Sequence, residues 1–103
     1  MNYQKTLLRL LRQAKGKVED DWLTQAQVVA AQAGHYCQCA YYARAFPKDY
    51  NAHKADARRA VGDLIIQCQI CCELLGLDFD EVTQDAFIAF RDKMKEVAKH
   101  RRP

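Results

Sequence analysis

Glycine and proline are scarce in this sequence. The 103 residues include four glycines and two prolines, while 50% are hydrophobic and 28% are charged. This composition fits a helical domain far better than a turn-rich β-sandwich. We expect a single domain over residues 1–103 with a modest core, because a short chain buries a smaller share of its surface. Association with further copies would add burial.

Long apolar runs are also lacking. No run approaches the roughly 20 apolar residues that a membrane-spanning helix requires. The early leucines Leu7, Leu8, Leu10 and Leu11 are interrupted by Arg9, and no small-residue cleavage site follows them, which argues against a signal peptide. We therefore expect a cytoplasmic protein with no membrane partner.

Neither sign of charge dominates the sequence. The formal net charge is +3 and the sequence pI is about 8.6, which argues neither for nor against nucleic acid. The basic residues concentrate near both ends, where we expect solvated helix faces and, over 99–103, a basic tail. They are Lys5, Arg9, Arg12, Lys15 and Lys17 at one end and Lys93, Lys95, Lys99, Arg101 and Arg102 at the other.

Several aromatic side chains lie in the predicted helices: Trp22, Tyr36, Tyr41, Tyr42, Phe46 and Phe87. Together with the basic ends they would suit stacking on single-stranded nucleic acid. Packing in the core or in a dimer interface is the interpretation we prefer, and we expect no nucleic-acid partner. Tyr41 is the aromatic residue that we expect to be exposed.

The cysteine count is odd, and the cysteines fall in helix-like apolar runs rather than in loops. They are Cys37, Cys39, Cys68, Cys71 and Cys72. We predict reduced thiols and no disulfide framework. The four-residue spacings of His35 to Cys39 and of Cys68 to Cys72 would suit a zinc site. Buried free cysteine is common core material, which is the interpretation we prefer.

Four helices are predicted, separated by short breaks. The first runs from about Asn2 to Lys15, and Gly16 ends it. The acidic residues Glu19, Asp20 and Asp21 open the second, which extends from about Trp22 to Ala45 and stops before Pro47.

The third helix is predicted from about Tyr50 to Leu75, ending at Gly76. The fourth begins after Asp78, whose spacing to Glu81 matches a capping box. Because short connections favour antiparallel neighbours, the expected architecture is an all-α antiparallel four-helix bundle.

The third helix carries two apolar stripes. The larger stripe contains Ala60, Val61, Leu64, Ile65, Cys68, Cys71, Cys72 and Leu75, and the smaller contains Ile66, Ile70 and Leu74. Gly62, Gln69 and Glu73 remain as a narrow wet edge. A helix that is apolar nearly all round needs many neighbours, so we expect a homodimer or higher homo-oligomer formed through the second and third helices. Asp63 also lies in the smaller stripe, which is an unusual place for a carboxylate.

Two segments together resemble a known family. RRAVGDLIIQCQICCELLGLDFDEV, residues 58–82, is similar to the third-helix region of the MazG-like, all-α nucleoside triphosphate pyrophosphohydrolases. The segment from Ala31 to Tyr36, with its central Gly34, is similar to the Glu-Glu-x-Gly-Glu segment of the preceding helix. The resemblance covers about 22–91 and implies a MazG-like fold. It also implies carboxylates from the two helices that hold Mg²⁺, which binds the triphosphate and activates a water.

This sequence departs from that metal-binding pattern. At the positions where the resemblance implies carboxylates it has Ala31, Gln32, His35, Ala60 and Asp63, so Asp63 alone is retained. One carboxylate carries too little charge to compete with water for Mg²⁺. We therefore expect the Mg²⁺-dependent hydrolysis to be lost or altered, with Asp63 as the one metal-ligand candidate.

A pocket for a nucleotide or another small flat ligand remains the leading hypothesis. Its candidates are Gln32, His35, Asp63, Gln67 and, from the fourth helix, Arg91. In that helix Ala86 and Phe90 stand where relatives often carry Lys and Asn. Asp63 and His35 are expected to satisfy each other as a buried polar pair rather than to act as a general base.

Two alternatives stay open. One is a non-catalytic structural or regulatory interaction module. The other is an active enzyme that recruits Asp56, Glu73 or Glu81 as ligands.

Overall fold

The structure is a computed structural model that describes residues 2–16 and 21–101. It is helical, with α1 over Gln4–Lys15, α2 over Trp22–Ala45, α3 over Tyr50–Leu74 and α4 over Phe79–Lys99. A short 3₁₀ helix, Pro47–Asp49, joins α2 to α3. The all-α prediction is confirmed, and the described residues contain no strand. Lys17, Glu19, Asp20 and Arg102, for which we predicted local roles, lie outside the described residues.

Local signals account for most helix ends. Asp21 caps α2, since its carboxylate accepts hydrogen bonds from the Thr24 backbone N–H and hydroxyl, each at 2.9 Å. Gly16 and Gly76, which follow α1 and α3, have φ of 77° and 71°, a conformation that costs glycine little. Pro47 ends α2 as predicted.

α2 and α3 form an antiparallel hairpin. Early in α2, the Gln25 side chain donates to the backbone carbonyl of Gln67, late in α3, at 3.3 Å. Near the other end, Cys39 lies beside Ala57 in a shared surface cleft. Cys39 and Ala60 are buried. This hairpin is the largest helix contact in the molecule.

α1 packs against the C-terminal half of α3, on the edge that we had predicted to be wet. Gln69 is 2% exposed, and its side-chain oxygen accepts a hydrogen bond from the Tyr3 backbone N–H at 2.6 Å. Leu8 and Ile70 are also buried. The wet-edge prediction was wrong at Gln69, because a polar side chain is buried readily once its hydrogen bonds are satisfied, while Gly62 is exposed as predicted.

α4 leaves the rest of the fold after its first turn. The chain bends by 111° between α3 and α4, and every residue from 80 to 101 is exposed. The radius of gyration is 17.2 Å, against about 13 Å for a compact domain of this length. Within one chain the helical bundle therefore consists of α1, α2 and α3, and α4 adds little to its core.

The capping box predicted at the start of α4 is absent. The Asp78 side chain does not cap the helix, and its carboxylate instead accepts a hydrogen bond from the Asn2 side chain at 2.8 Å. The first backbone N–H of α4, that of Phe79, donates to the Gln4 side chain at 2.6 Å. A residue distant in sequence has taken the place of the local cap.

The predicted aromatic core does not form within one chain. Trp22, Tyr36, Phe46 and Phe87 are exposed, and Tyr41, at 67%, is exposed as we predicted. No single helix among the described residues is long and apolar enough to cross a membrane. One bent pair of helices, Pro47–Leu74 with Phe79–Lys99, has sufficient length and apolar composition when the two are taken together.

Candidate functional site

A cleft of about 530 Å³ opens between α2 and α3 on one side of the hairpin. α2 contributes Ala31, Gln32 and His35, and α3 contributes Asp56, Arg59 and Asp63. On α2, His35 follows Ala31 and Gln32 by four and three positions, and on α3 Asp56, Arg59 and Asp63 are three, four and seven positions apart, so each set shares one face. The antiparallel hairpin brings the two faces together at the middle of α2 and the N-terminal half of α3.

Three of the five pocket residues predicted from the sequence line this cleft. Gln32 is half-buried, while His35 and Asp63 are exposed. Within residues 2–16 and 21–101, neither His35 nor Asp63 has a hydrogen bond or an ion pair through its side chain. The prediction of a buried His35–Asp63 pair was therefore wrong for a single chain. Both side chains are free to meet a ligand.

The other two predicted pocket residues lie elsewhere. Gln67 receives hydrogen bonds from the buried Gln25 at both its backbone carbonyl and its side-chain oxygen, so it belongs to the packing of the hairpin. Arg91 lies on the exposed α4, where its Nε is 3.3 Å from the Asp92 carboxylate. Because α4 turns away from the hairpin, Phe90 does not reach the cleft either. No Phe, Tyr or Trp is among the residues that line the cleft.

Arg59 was missed by the sequence analysis, and Asp56 was considered there only as a ligand of an alternative enzyme. Both line the cleft with Asp63. The spacing of the three residues, i, i+3 and i+7, was a usable signal, since it places them on one face of a helix. The cleft thus combines a guanidinium, an imidazole, an amide and two carboxylates, all accessible to solvent.

The donor set of this cleft does not fit the Mg²⁺ site implied by the family resemblance. Ala60, where that pattern has a carboxylate, is fully buried. Asp56 and Asp63 are separated by two turns, a rise of about 10 Å along the axis, which is too far for convenient binding of one ion. Among the described residues no group of three His, Cys, Asp or Glu side chains lies close enough to hold a metal ion.

The lack of a metal-binding group among the described residues also concerns the zinc site considered from the sequence. His35 is exposed and lines the cleft with Asp63, whereas Cys39 is buried and Cys72 is buried in the C-terminal part of α3. The described residues therefore do not gather the two spaced pairs into one tetrahedral site.

All five cysteines are free in the structure. Burial raises the pKa of the thiols of Cys68, Cys71 and Cys72 above the ordinary value. A raised thiol pKa disfavours the thiolate, which is the nucleophile and the metal ligand. These residues are packing material of α3.

Glu73 and Glu81, the remaining candidates for an active enzyme, are not in the cleft. The Glu73 carboxylate accepts a hydrogen bond from the Gln4 side chain at 3.0 Å, at the contact of α1 with α3. Glu81 lies in the first turn of α4. Only Asp56 of the three alternative ligands joins Asp63.

Comparisons with known proteins do not identify a family for this chain. The chain matches no family model, no curated protein and no solved structure.

Proposed function

We propose that the cleft between α2 and α3 binds a nucleotide or a similar small flat ligand, in a protein with a MazG-like fold whose Mg²⁺-dependent triphosphate hydrolysis is lost or altered. The observation that carries the proposal is the convergence of Gln32 and His35 with Asp63 in one open cleft. These are positions that the family resemblance assigns to the carboxylates that hold Mg²⁺, which in turn binds the triphosphate.

The chemistry of the cleft suits a ligand with an anionic end and a polar ring. Arg59 presents a planar guanidinium, which recognises phosphate oxygens with two parallel hydrogen bonds. The amide of Gln32 both donates and accepts, and the two carboxylates accept from amino or hydroxyl groups. A nucleotide offers all of these groups.

Hydrolysis is the part of the family's chemistry that the cleft does not support. The hydrolytic mechanism requires a cation that is held by several carboxylates and that activates a water. Asp56 and Asp63 are the only carboxylates among the residues that line the cleft. Binding without turnover is therefore the function that these residues favour.

The decisive experiment measures thermal stabilisation of the protein by the common nucleoside triphosphates and monophosphates, with and without Mg²⁺ or Mn²⁺. A ligand that binds the folded state raises the melting temperature. We expect a shift that does not require the cation. Arg59→Gln should remove the shift, whereas Arg58→Gln, next to it on α3 but outside the cleft, should retain it.

Pyrophosphate release is measured in the same reactions. No stabilisation by any nucleotide would contradict the binding proposal. Release of pyrophosphate that disappears in Asp63→Ala would show that hydrolysis is retained.

A second candidate function is a non-catalytic structural or regulatory interaction module. One specific observation favours it: α4 is exposed over its whole length beyond the first turn. A chain that binds no nucleotide but associates through α4 would support this alternative. The homodimer or higher homo-oligomer expected from the sequence is common to both candidates.

A further inference from the structure

α4 carries one continuous apolar stripe that the described chain leaves uncovered. The stripe consists of Val82, Ala86, Phe87, Phe90, Met94 and Val97, which recur at helical spacing over about four turns. All six are exposed, and Phe90 is 62% exposed. The opposite face is polar or charged apart from Ile88. Contiguous exposed apolar surface of this kind marks an interaction site.

The total surface of the chain indicates how much of it needs covering. The solvent-accessible area is 8255 Å², while a compact monomer of 11.9 kDa exposes about 6,000 Å². The excess of about 2,300 Å² is larger than the roughly 800 Å² that each partner buries in a standard interface. One chain thus has enough surplus surface to form a stable dimer.

The charges along α4 indicate which partner fits. Its first half carries three acidic residues and no basic one: Asp80, Glu81 and Asp85. The second half, continued to 101, is mainly basic: Arg91, Lys93, Lys95, Lys99 and Arg101, with Asp92 and Glu96. A helix that is acidic at one end and basic at the other complements a second copy of itself in the antiparallel direction.

We propose that α4 pairs antiparallel with α4 of a second copy of this chain, apolar stripe against apolar stripe, around a twofold axis. A twofold axis makes the contact isologous, so the same patch serves both copies. This inference does not depend on the ligand of the α2–α3 cleft. It places the dimer interface on α4 rather than on α2 and α3.

The length of α4 sets the register. Full overlap of two antiparallel copies of Phe79–Lys99 centres the contact at residue 89. Asp85 of one copy then lies opposite Lys93 of the other, and symmetry repeats the pair. Lys93 lies at the edge of the apolar stripe and Asp85 lies further round the helix on the same side. Neither has an ion-pair partner in the described part of the chain.

The stripe is tested with Phe90→Asp and a matched control, Ile88→Asp, on the opposite face of the same helix. The association constant is measured by sedimentation equilibrium over micromolar concentrations. We expect a wild-type dimer that Phe90→Asp weakens at least about a hundredfold, because each dimer loses two buried phenyl rings. Ile88→Asp should leave the association unchanged. Circular dichroism checks that both variants keep their helical content.

The antiparallel register is tested by charge reversal. Asp85→Lys and Lys93→Asp should each weaken the dimer by about three- to tenfold, because each puts like charges opposite one another in both symmetry-related pairs. The double variant restores complementary charges and should return the dissociation constant to near the wild-type value.

Three outcomes would overturn the proposal. The first is a wild-type protein that stays monomeric over these concentrations. The second is a dimer that Phe90→Asp leaves intact, which would point to an interface on α2 and α3. The third is a double charge variant that is as weak as the single ones, which would rule out the antiparallel register.

Discussion

The Gln4 side-chain oxygen accepts a hydrogen bond from the backbone N–H of Phe79 at 2.6 Å, across 75 positions of the chain. The amide nitrogen of the same side chain donates to the Leu77 carbonyl at 2.6 Å and to the Glu73 carboxylate at 3.0 Å. Gln4 thus forms hydrogen bonds with the end of α3, with the connection and with the start of α4. Through it, the start of α1 sets the direction in which α4 leaves the bundle.

Gln4→Leu is expected to lower the free energy of unfolding by about 1–3 kcal/mol. The leucine keeps the approximate volume but leaves the Phe79 N–H and the Leu77 carbonyl without their side-chain partner. Urea denaturation measures the change, and Gln13→Leu, at an exposed position of α1, is the control, with an expected change below about 0.5 kcal/mol. Equal effects of the two substitutions would contradict this role for Gln4.

Asp21 is expected to make the melting temperature depend on acid pH. The hydrogen bond from the Thr24 backbone N–H lowers the pKa of the Asp21 carboxyl from its ordinary value near 3.8. A lowered pKa stabilises the fold above the unfolded-state value, and the contribution is lost as the pH falls through the folded-state pKa.

Asp21→Ala should therefore melt below the wild type at neutral pH, and the gap should narrow as the pH falls below about 4. Asp21→Asn, which keeps a side-chain acceptor, should show a smaller gap at neutral pH. Thermal melts monitored by circular dichroism give both quantities. A gap that stays constant with pH would argue against a charged cap.

The half-buried thiols of α3 are expected to limit stability at alkaline pH. Burial raises the pKa of Cys68 above its ordinary value near 9.0. The unfolded chain then ionises first, so the stabilising contribution is fully present below that value and is lost as the pH rises above it. The free energy of unfolding should fall between about pH 8 and about pH 10.

Cys68→Ala should flatten this alkaline slope, whereas Cys37→Ala, at an exposed position of α2, should not. Denaturant titrations at a series of pH values measure the slope independently of any stability change at neutral pH. The same slope in both variants would assign the alkaline loss to other groups.

Asp63→Asn is expected to change the free energy of unfolding by less than about 0.5 kcal/mol. The Asp63 side chain is exposed and has no ion-pair partner among the described residues, so removing its charge breaks no intrachain contact. Stabilisation by a bound nucleotide should nevertheless decrease in this variant. A destabilisation above about 1 kcal/mol would instead show that Asp63 is paired in the protein in solution.

The helix boundaries were predictable because their signals are local. Pro47 cannot continue α2, and Gly16 and Gly76 adopt the positive φ that ends a helix. The cleft was predictable in part for the same reason. Gln32, His35 and Asp63 belong to two helices joined by a short connection, and such helices pack antiparallel.

The predictions that failed concern which helix faces are buried and which residues distant in sequence contact each other. Gln69 is buried because the Tyr3 backbone N–H reaches it, and no pattern within α3 reveals that partner. Arg91 was placed in the pocket from the family resemblance, in which the fourth helix contributes to the nucleotide site. The bend of 111° before α4 removes it from the cleft.

By itself, the sequence determined where α2 begins and where α1, α2 and α3 end, because caps, glycines and prolines act on the neighbouring few residues. It also determined the apolar stripe of α4, which depends only on the helical period. The tertiary structure decided where α4 points and which polar side chains are buried. Those outcomes rest on hydrogen bonds between residues about 70 positions apart, such as Gln4 with Phe79, which local patterns do not encode.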